Sequence, residues 1–237
     1  MTPDIKPVYL LSGGRHRGSR KPDPLLQAVF REYGIPSPTV AYVGVASGDD
    51  RNFFGFITES FKEAGAGQIK HALIAPEKAD LNKARDILQS ADIVFISGGD
   101  VEAGMDILND KKITSFLSGL YQQGKPFFGL SAGSIMLARE WILWRDPDDD
   151  SSAEIFPCLN IASVICDTHA EADEWEELQA LLALEKDSVK GYGIPSGTAI
   201  KIYPDGRVEA LGGAVHQHVR HGNRVDRIED ILPLNRR

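Results

Sequence analysis

Apolar residues recur along the chain in short runs, each closed by turn-forming residues. Residues 8–11 run into Ser12-Gly13-Gly14, and residues 40–46 into Ser47-Gly48-Asp49. Residues 69–75 end at Pro76, and residues 93–96 at Ser97-Gly98-Gly99. Residues 126–129 lead into Leu130-Ser131-Ala132-Gly133. These runs are nearly continuous in hydrophobicity and rich in Val, Ile and aromatics, the signature of strands buried on both faces. Between them the apolar spacing becomes helical. Phe53, Phe54, Ile57 and Phe61 share a face before Gly65. Leu81, Ala84, Ile87 and Leu88 repeat the pattern after Asp80, a good N-cap residue. Ile113, Phe116, Leu117, Leu120 and Tyr121 form a third stripe, stopped by Gly124. The alternation predicts an α/β fold: a mostly parallel sheet flanked by helices on both faces.

The second half reads differently. Residues 144–152, WRDPDDDSS, form an acidic, turn-rich loop, and a helix is predicted over 172–184. Strand-like pieces follow at 190–194, 198–203, 207–211 and 214–219. Pro204-Asp205-Gly206 and Gly212-Gly213 separate the last three, which predicts a hairpin or meander and hence an antiparallel C-terminal extension. No repeat period or low-complexity linker divides the chain, so residues 1–237 are expected to form a single domain.

The strongest chemical signal is G-x-S-x-G at Gly129-Leu130-Ser131-Ala132-Gly133, between a buried strand and an apolar helix. In that setting a sharp turn lifts the serine hydroxyl above the strand ends. The Ala132 amide, next after the serine, faces a developing oxyanion, and Gly99 after the preceding strand offers a second amide. A simple Gly-rich turn without chemistry is the plain alternative. Ser134 is the rival hydroxyl, one helical turn on, better suited to packing. His169 follows the apolar run 161–166 and should emerge at a strand end, where a base can reach the serine.

From Phe95 to Leu137, with FISGGD and GLSAGS, the chain resembles the peptidase E (aspartyl dipeptidase) and cyanophycinase family, within the class I glutamine amidotransferase-like superfamily. The likeness continues through ICDTH at 165–169 and GYGIPSGTAIKI at 191–202. It implies a serine hydrolase with nucleophile Ser131, base His169 and oxyanion donors Gly99 and Ala132. Relatives carry an acid in the segment matching residues 194–198, where this chain has Ser196. A hydroxyl can accept the histidine N–H bond but brings no charge. Asp146 stands where the peptidase E branch also has an aspartate, and Asp167 lies two residues before His169. The resulting expectation is Ser196 as the direct partner of His169, with Asp146 as a supporting acid. Peptidase E members also bind an acidic side chain with an arginine after the histidine. The corresponding stretch, residues 170–177, reads AEADEWEE and holds no basic residue, so weak Asp-X preference is expected.

Charge and composition narrow the function further. With 26 basic and 34 acidic residues, the net charge of −8 argues against a polyanion or nucleic-acid binder. Residues 15–21 form the basic cluster, which reads as a solvated loop. His216, His218 and His221 read as a solvated edge strand, without a metal-ligand pattern. His16 and His71 have no partner readable from sequence. No apolar run approaches the roughly 18 residues of a membrane helix, and the start, MTPDIKPVYLLSGG, lacks the build of a signal peptide. With only Cys158 and Cys166, a cytoplasmic protein with reduced thiols is expected. The composite expectation is a serine peptidase acting on short peptides, with no cofactor, metal, nucleic-acid or membrane partner, and with a homodimer admitted. The competing readings are an α/β-hydrolase-type esterase using a late histidine such as His218, and a binding or regulatory protein that keeps the fold with little turnover.

Overall fold

A computed structural model describes residues 3–13, 22–146 and 148–234. The basic cluster at 15–21, and with it His16, lies outside the described residues.

The first half alternates as its pattern predicts. In chain order it comprises β1 (Val8–Leu11), α1 (Pro24–Tyr33), β2 (Val40–Val43), α2 (Arg51–Ala64), β3 (Ile69–His71), α3 (Leu81–Ser90), β4 (Ile93–Ile96), α4 (Val101–Asp110), α5 (Thr114–Gln122) and β5 (Phe127–Leu130). The runs at 40–46 and 69–75 are longer than their strands. The first turns into a 3-10 helix at Val45–Ser47, and the second stops at His71. Strands β1, β5, β4, β2 and β3 pair in parallel in that order.

Strand alternation splits the core into two layers. Val8, Leu10, Val94, Ile96 and Phe127 face one side, against α3, α4 and α5. Tyr9, Leu11, Ile93, Phe95 and Phe128 face the other, against Phe30 of α1 and Phe61 of α2. Side chains at successive strand positions point to opposite faces, so a strand covered by helices on both sides must be apolar throughout. Helix starts follow from the sequence as well. Asp23, Asp50, Asp80 and Asp100 each cap the helix that follows by accepting a backbone N–H of its first turn.

After α6 (Ala132–Leu137) come β6 (Glu140–Trp144), β7 (Ala153–Pro157), β8 (Ile165–Thr168), α7 (Glu176–Leu184), β9 (Lys190–Ile194), β10 (Ala199–Ile202), β11 (Val208–Leu211), β12 (Val215–His221) and β13 (Arg224–Ile231). Strand β10 adds antiparallel to β1, and β11 to β10, extending the main sheet to seven strands. The expected meander therefore breaks after β11. Strand β12 joins a separate four-stranded sheet, β13-β12-β9-β8, in which β8 and β9 are parallel and the rest antiparallel. Strand β12 is interior to that sheet, not a solvated edge. His218 is buried, and His216 pairs with Asp230 and Arg227.

Two further differences bear on the site. The strands on either side of the acidic stretch, β6 and β7, pair antiparallel as a hairpin. The helix expected from 172 starts only at Glu176, because residues 171–175 form turns that end with Trp175 in the left-handed region at φ 65°. Trp175, Leu178, Leu181 and Leu182 then pack with Ile142 and Ile165, joining α7 to the hairpin and the second sheet.

Candidate active site

Strand β5 ends at Leu130, and α6 begins two residues later, so the whole change of direction falls on Ser131. Its backbone adopts φ 54° and ψ −126°, a combination that glycine adopts freely and a residue with a Cβ only under strain. The turn is fastened to the end of β1, where the Ser131 N–H donates to the Leu11 carbonyl at 2.8 Å. The rival hydroxyl, Ser134, is fully buried and donates to that same carbonyl at 2.8 Å, which leaves it no catalytic freedom. Gly133 is required by closeness: a methyl there would overlap the Ile96 carbonyl oxygen of β4.

Two backbone amides stand near the serine. As the first residue of α6, Ala132 has an N–H without an i−4 acceptor inside its helix. Gly99 belongs to the loop after β4, with φ 144°, and a side chain there would overlap the Ala46 carbonyl. Both residues line one small cavity of about 230 Å³ together with Ser131 and His169.

His169 arrives from the second sheet. It follows β8, and its N–H donates to the Ile194 carbonyl of β9 at 2.9 Å. Its Nε2 lies 2.7 Å from the Ser131 Oγ, a good length for a hydrogen bond. The pair is thus shared between two sheets, the serine on the main one and the histidine on the smaller.

The third position differs from the sequence expectation. Among the described residues the His169 ring makes no hydrogen bond to Ser196. Ser196 instead donates its N–H to Glu171 Oε1 at 2.5 Å and its hydroxyl to Oε2 at 3.5 Å. The loop carrying Ser196 is tied to the end of β1, as Ser12 donates to the Pro195 carbonyl at 2.7 Å and Gly197 to the Gly13 carbonyl at 2.7 Å. Burial alone would raise the Glu171 pKa. The bonds from Ser196 and the charge of His169 outweigh it, and the carboxyl sits below its ordinary value. A carboxylate that feels the histidine is therefore present, and sequence reasoning missed it. Its signal was hidden in the run 170–177, which reads as the first turn of a helix.

Asp146 is not brought to the histidine. It sits exposed on the β6–β7 turn, where its carboxylate accepts the Asp148 N–H at 3.1 Å and its backbone exchanges bonds with Ser152. These local bonds fix it within its own loop, and it does not line the cavity. Asp167 does line it. Only 2% exposed, its Oδ1 accepts the Thr168 N–H at 2.6 Å. Burial, with the charges of Glu177, Asp173 and Glu171, pushes its pKa up to about 7. His218, the alternative base, is buried in β12 and does not line the cavity.

The strained Ser131 thus stands between a parallel strand and a helix, in hydrogen-bond contact with His169 and beside the backbones of Ala132 and Gly99. The chain belongs to peptidase family S51, whose family model matches residues 8–209. It is similar to Peptidase E of Pasteurella multocida (strain Pm70), 23% identical over 209 residues, covering 84% of this chain and 86% of that protein. Its fold matches the crystal structure of a peptidase from an acI-B1 Actinobacterium, with TM-score 0.70 at 17% identity over 96% of this chain and 97% of that one. It also matches a putative Peptidase E protein from Listeria monocytogenes EGD-e, with TM-score 0.62 at 18% identity over 87% of this chain and 98% of that one. The protein is accordingly a peptidase. None of its described helices is long and apolar enough to cross a membrane.

Proposed function

We propose that this peptidase is of the serine type and cleaves short peptides, as a dipeptidase or aminopeptidase. The observation that carries the reading is the 2.7 Å contact between Ser131 Oγ and His169 Nε2 at a strained elbow. Ser131 attacks the peptide carbonyl while His169 takes the hydroxyl proton. The carbonyl oxygen becomes an oxyanion, received by the amides of Ala132 and Gly99. His169 then gives the proton to the departing amine, the C–N bond breaks, and an acyl-Ser131 remains. Water, deprotonated by His169, attacks that ester and frees the enzyme.

In this scheme Glu171 supplies the negative charge that favours the imidazolium, and Ser196 holds the Glu171 carboxylate in place. Asp146 has no part in it. The reading predicts hydrolysis of a dipeptide and tripeptide panel by the pure protein, together with labelling of Ser131 by a fluorophosphonate probe. Ser131→Ala should abolish both. Turnover that survives Ser131→Ala refutes the scheme. A wild-type protein that neither hydrolyses nor labels would favour the binding-protein reading instead.

A further inference from the structure

One buried group beside Ser131 has no task in this mechanism. The Oδ2 of Asp167 has no hydrogen-bond partner among the described residues, although the side chain is almost wholly buried and lines the cavity. An unpaired buried carboxylate oxygen is unfavourable, and where one persists beside a cavity, a ligand that completes it is a physical explanation. Asp173 and Glu177 stand on the same cavity, and neither Lys nor Arg is among its lining residues. Each neighbour raises the cost of negative charge on Asp167, so the cavity is poised for a cation.

A larger cavity, about 570 Å³, shares Val101, Trp141 and Glu177 with the first. It adds Asp100, Glu102 and Asp150 with no basic residue. The negative potential therefore extends outward from the serine. The protein's overall charge of −8 has the same sign, but the cavity walls concentrate it where a substrate would lie.

We infer that the cavity beside Ser131 is a subsite for a primary ammonium group, with Asp167 as its hydrogen-bonding partner and Asp173 and Glu177 supplying the surrounding potential. The inference rests on the reading of Ser131 as nucleophile. It makes Asp167 a specificity-determining residue. The preferred peptides carry the cation on the residue whose carbonyl is attacked, either as the free α-amine of an N-terminal residue or as a lysine side chain. Asp167 accepts two of the ammonium hydrogens or one hydrogen and the existing Thr168 bond, while an aspartyl side chain in the same place meets three carboxylates.

Fluorogenic anilides of Ala, Lys and Asp, each with a free or acetylated amine, distinguish the two sources. A free-amine requirement shared by Ala and Lys points to the α-amine, and cleavage of acetyl-Lys but not acetyl-Ala points to the side chain. Asp167→Asn should raise KM for the cationic substrates at least tenfold, with a smaller effect on kcat. The inference is overturned if the aspartyl substrate is best, or if Asp167→Asn raises KM equally for cationic and neutral substrates. A second measurement needs no Asp167 variant. Calorimetry on the full chain, wild type and Ser131→Ala, should detect n-butylammonium binding and no n-butyrate binding. Equal binding of both, or of neither, overturns the subsite whether or not Ser131 reacts. Absent fluorophosphonate labelling with butylammonium binding intact would instead overturn the nucleophile reading alone.

Discussion

The strain at Ser131 can be isolated by comparing two substitutions that both remove the hydroxyl. With φ 54° and ψ −126°, the serine occupies a region that costs a residue with a Cβ about 1–3 kcal/mol. Ser131→Ala keeps the Cβ and the strain, and it loses the bond to His169, which at a half-exposed site contributes roughly 0.5–1 kcal/mol. Ser131→Gly loses the same bond but releases the strain, against roughly 0.5–1 kcal/mol of extra chain entropy in the unfolded state. The glycine variant should therefore be more stable than the alanine variant by about 1 kcal/mol. In a chain of this size that difference raises Tm by about 2–4 °C. Urea unfolding should show a higher midpoint at an unchanged slope. Both variants should be inactive, so activity cannot confuse the comparison. Equal midpoints, or a glycine variant below the alanine one, would refute the idea that folding energy is stored at the elbow.

Three other outcomes are expected. Glu171→Gln keeps the size of the side chain and removes its charge. It should lower kcat by roughly 10- to 100-fold, short of the ~10⁴ of a buried triad aspartate because water screens this carboxylate, whereas Asp146→Asn should leave kcat unchanged. Gly99→Ala pushes a methyl into the Ala46 carbonyl and must shift the loop; loss of one oxyanion donor should lower kcat by about 10²–10³ with the fold retained by circular dichroism. Asp49, outside the site, is buried and accepts N–H bonds from Gly44, Ile74 and Ala75 as well as a bond from His71 at 3.0 Å. Burial works to raise its pKa, but the His71 and backbone bonds outweigh it and leave it below its ordinary value. A lowered carboxyl pKa contributes stability above the unfolded value of about 3.9 and loses it as pH falls through the folded value. Asp49→Asn cannot accept on both sides, so it should cost roughly 2–4 kcal/mol at neutral pH and flatten the acid limb of the urea midpoint plotted against pH. An unaltered acid limb would show that Asp49 titrates alike in the folded and unfolded chain.

The parallel sheet was legible in the sequence because burial on both faces leaves no polar position in its inner strands β1, β5, β4 and β2, so that Phe127 and Phe128 can each find a separate core layer. The elbow was legible because few residues other than small ones tolerate its crowding. The second sheet was harder. Strand pieces at 190–194 and 214–219 carried the right residues, but nothing local says that β12 leaves β11 for β9, since partner choice is made by long-range packing. The β6–β7 hairpin was hidden by its acidic turn, which reads as a loop in isolation. Glu171 was missed for a related reason. Acids before a helix normally complement its dipole, and only the turns at 171–175 free this one to meet Ser196.

Serine and histidine belong to different sheets, and this has a consequence for how the enzyme fails. Each partner is tied by a backbone hydrogen bond to its own sheet, but their spacing is set by the seam between the two, where α6 packs on β8. A small slip along that seam parts the 2.7 Å contact without melting a single strand. Turnover is then a sensitive gauge of how the halves are joined, and in rising urea it should vanish while the circular dichroism of the folded protein is still intact.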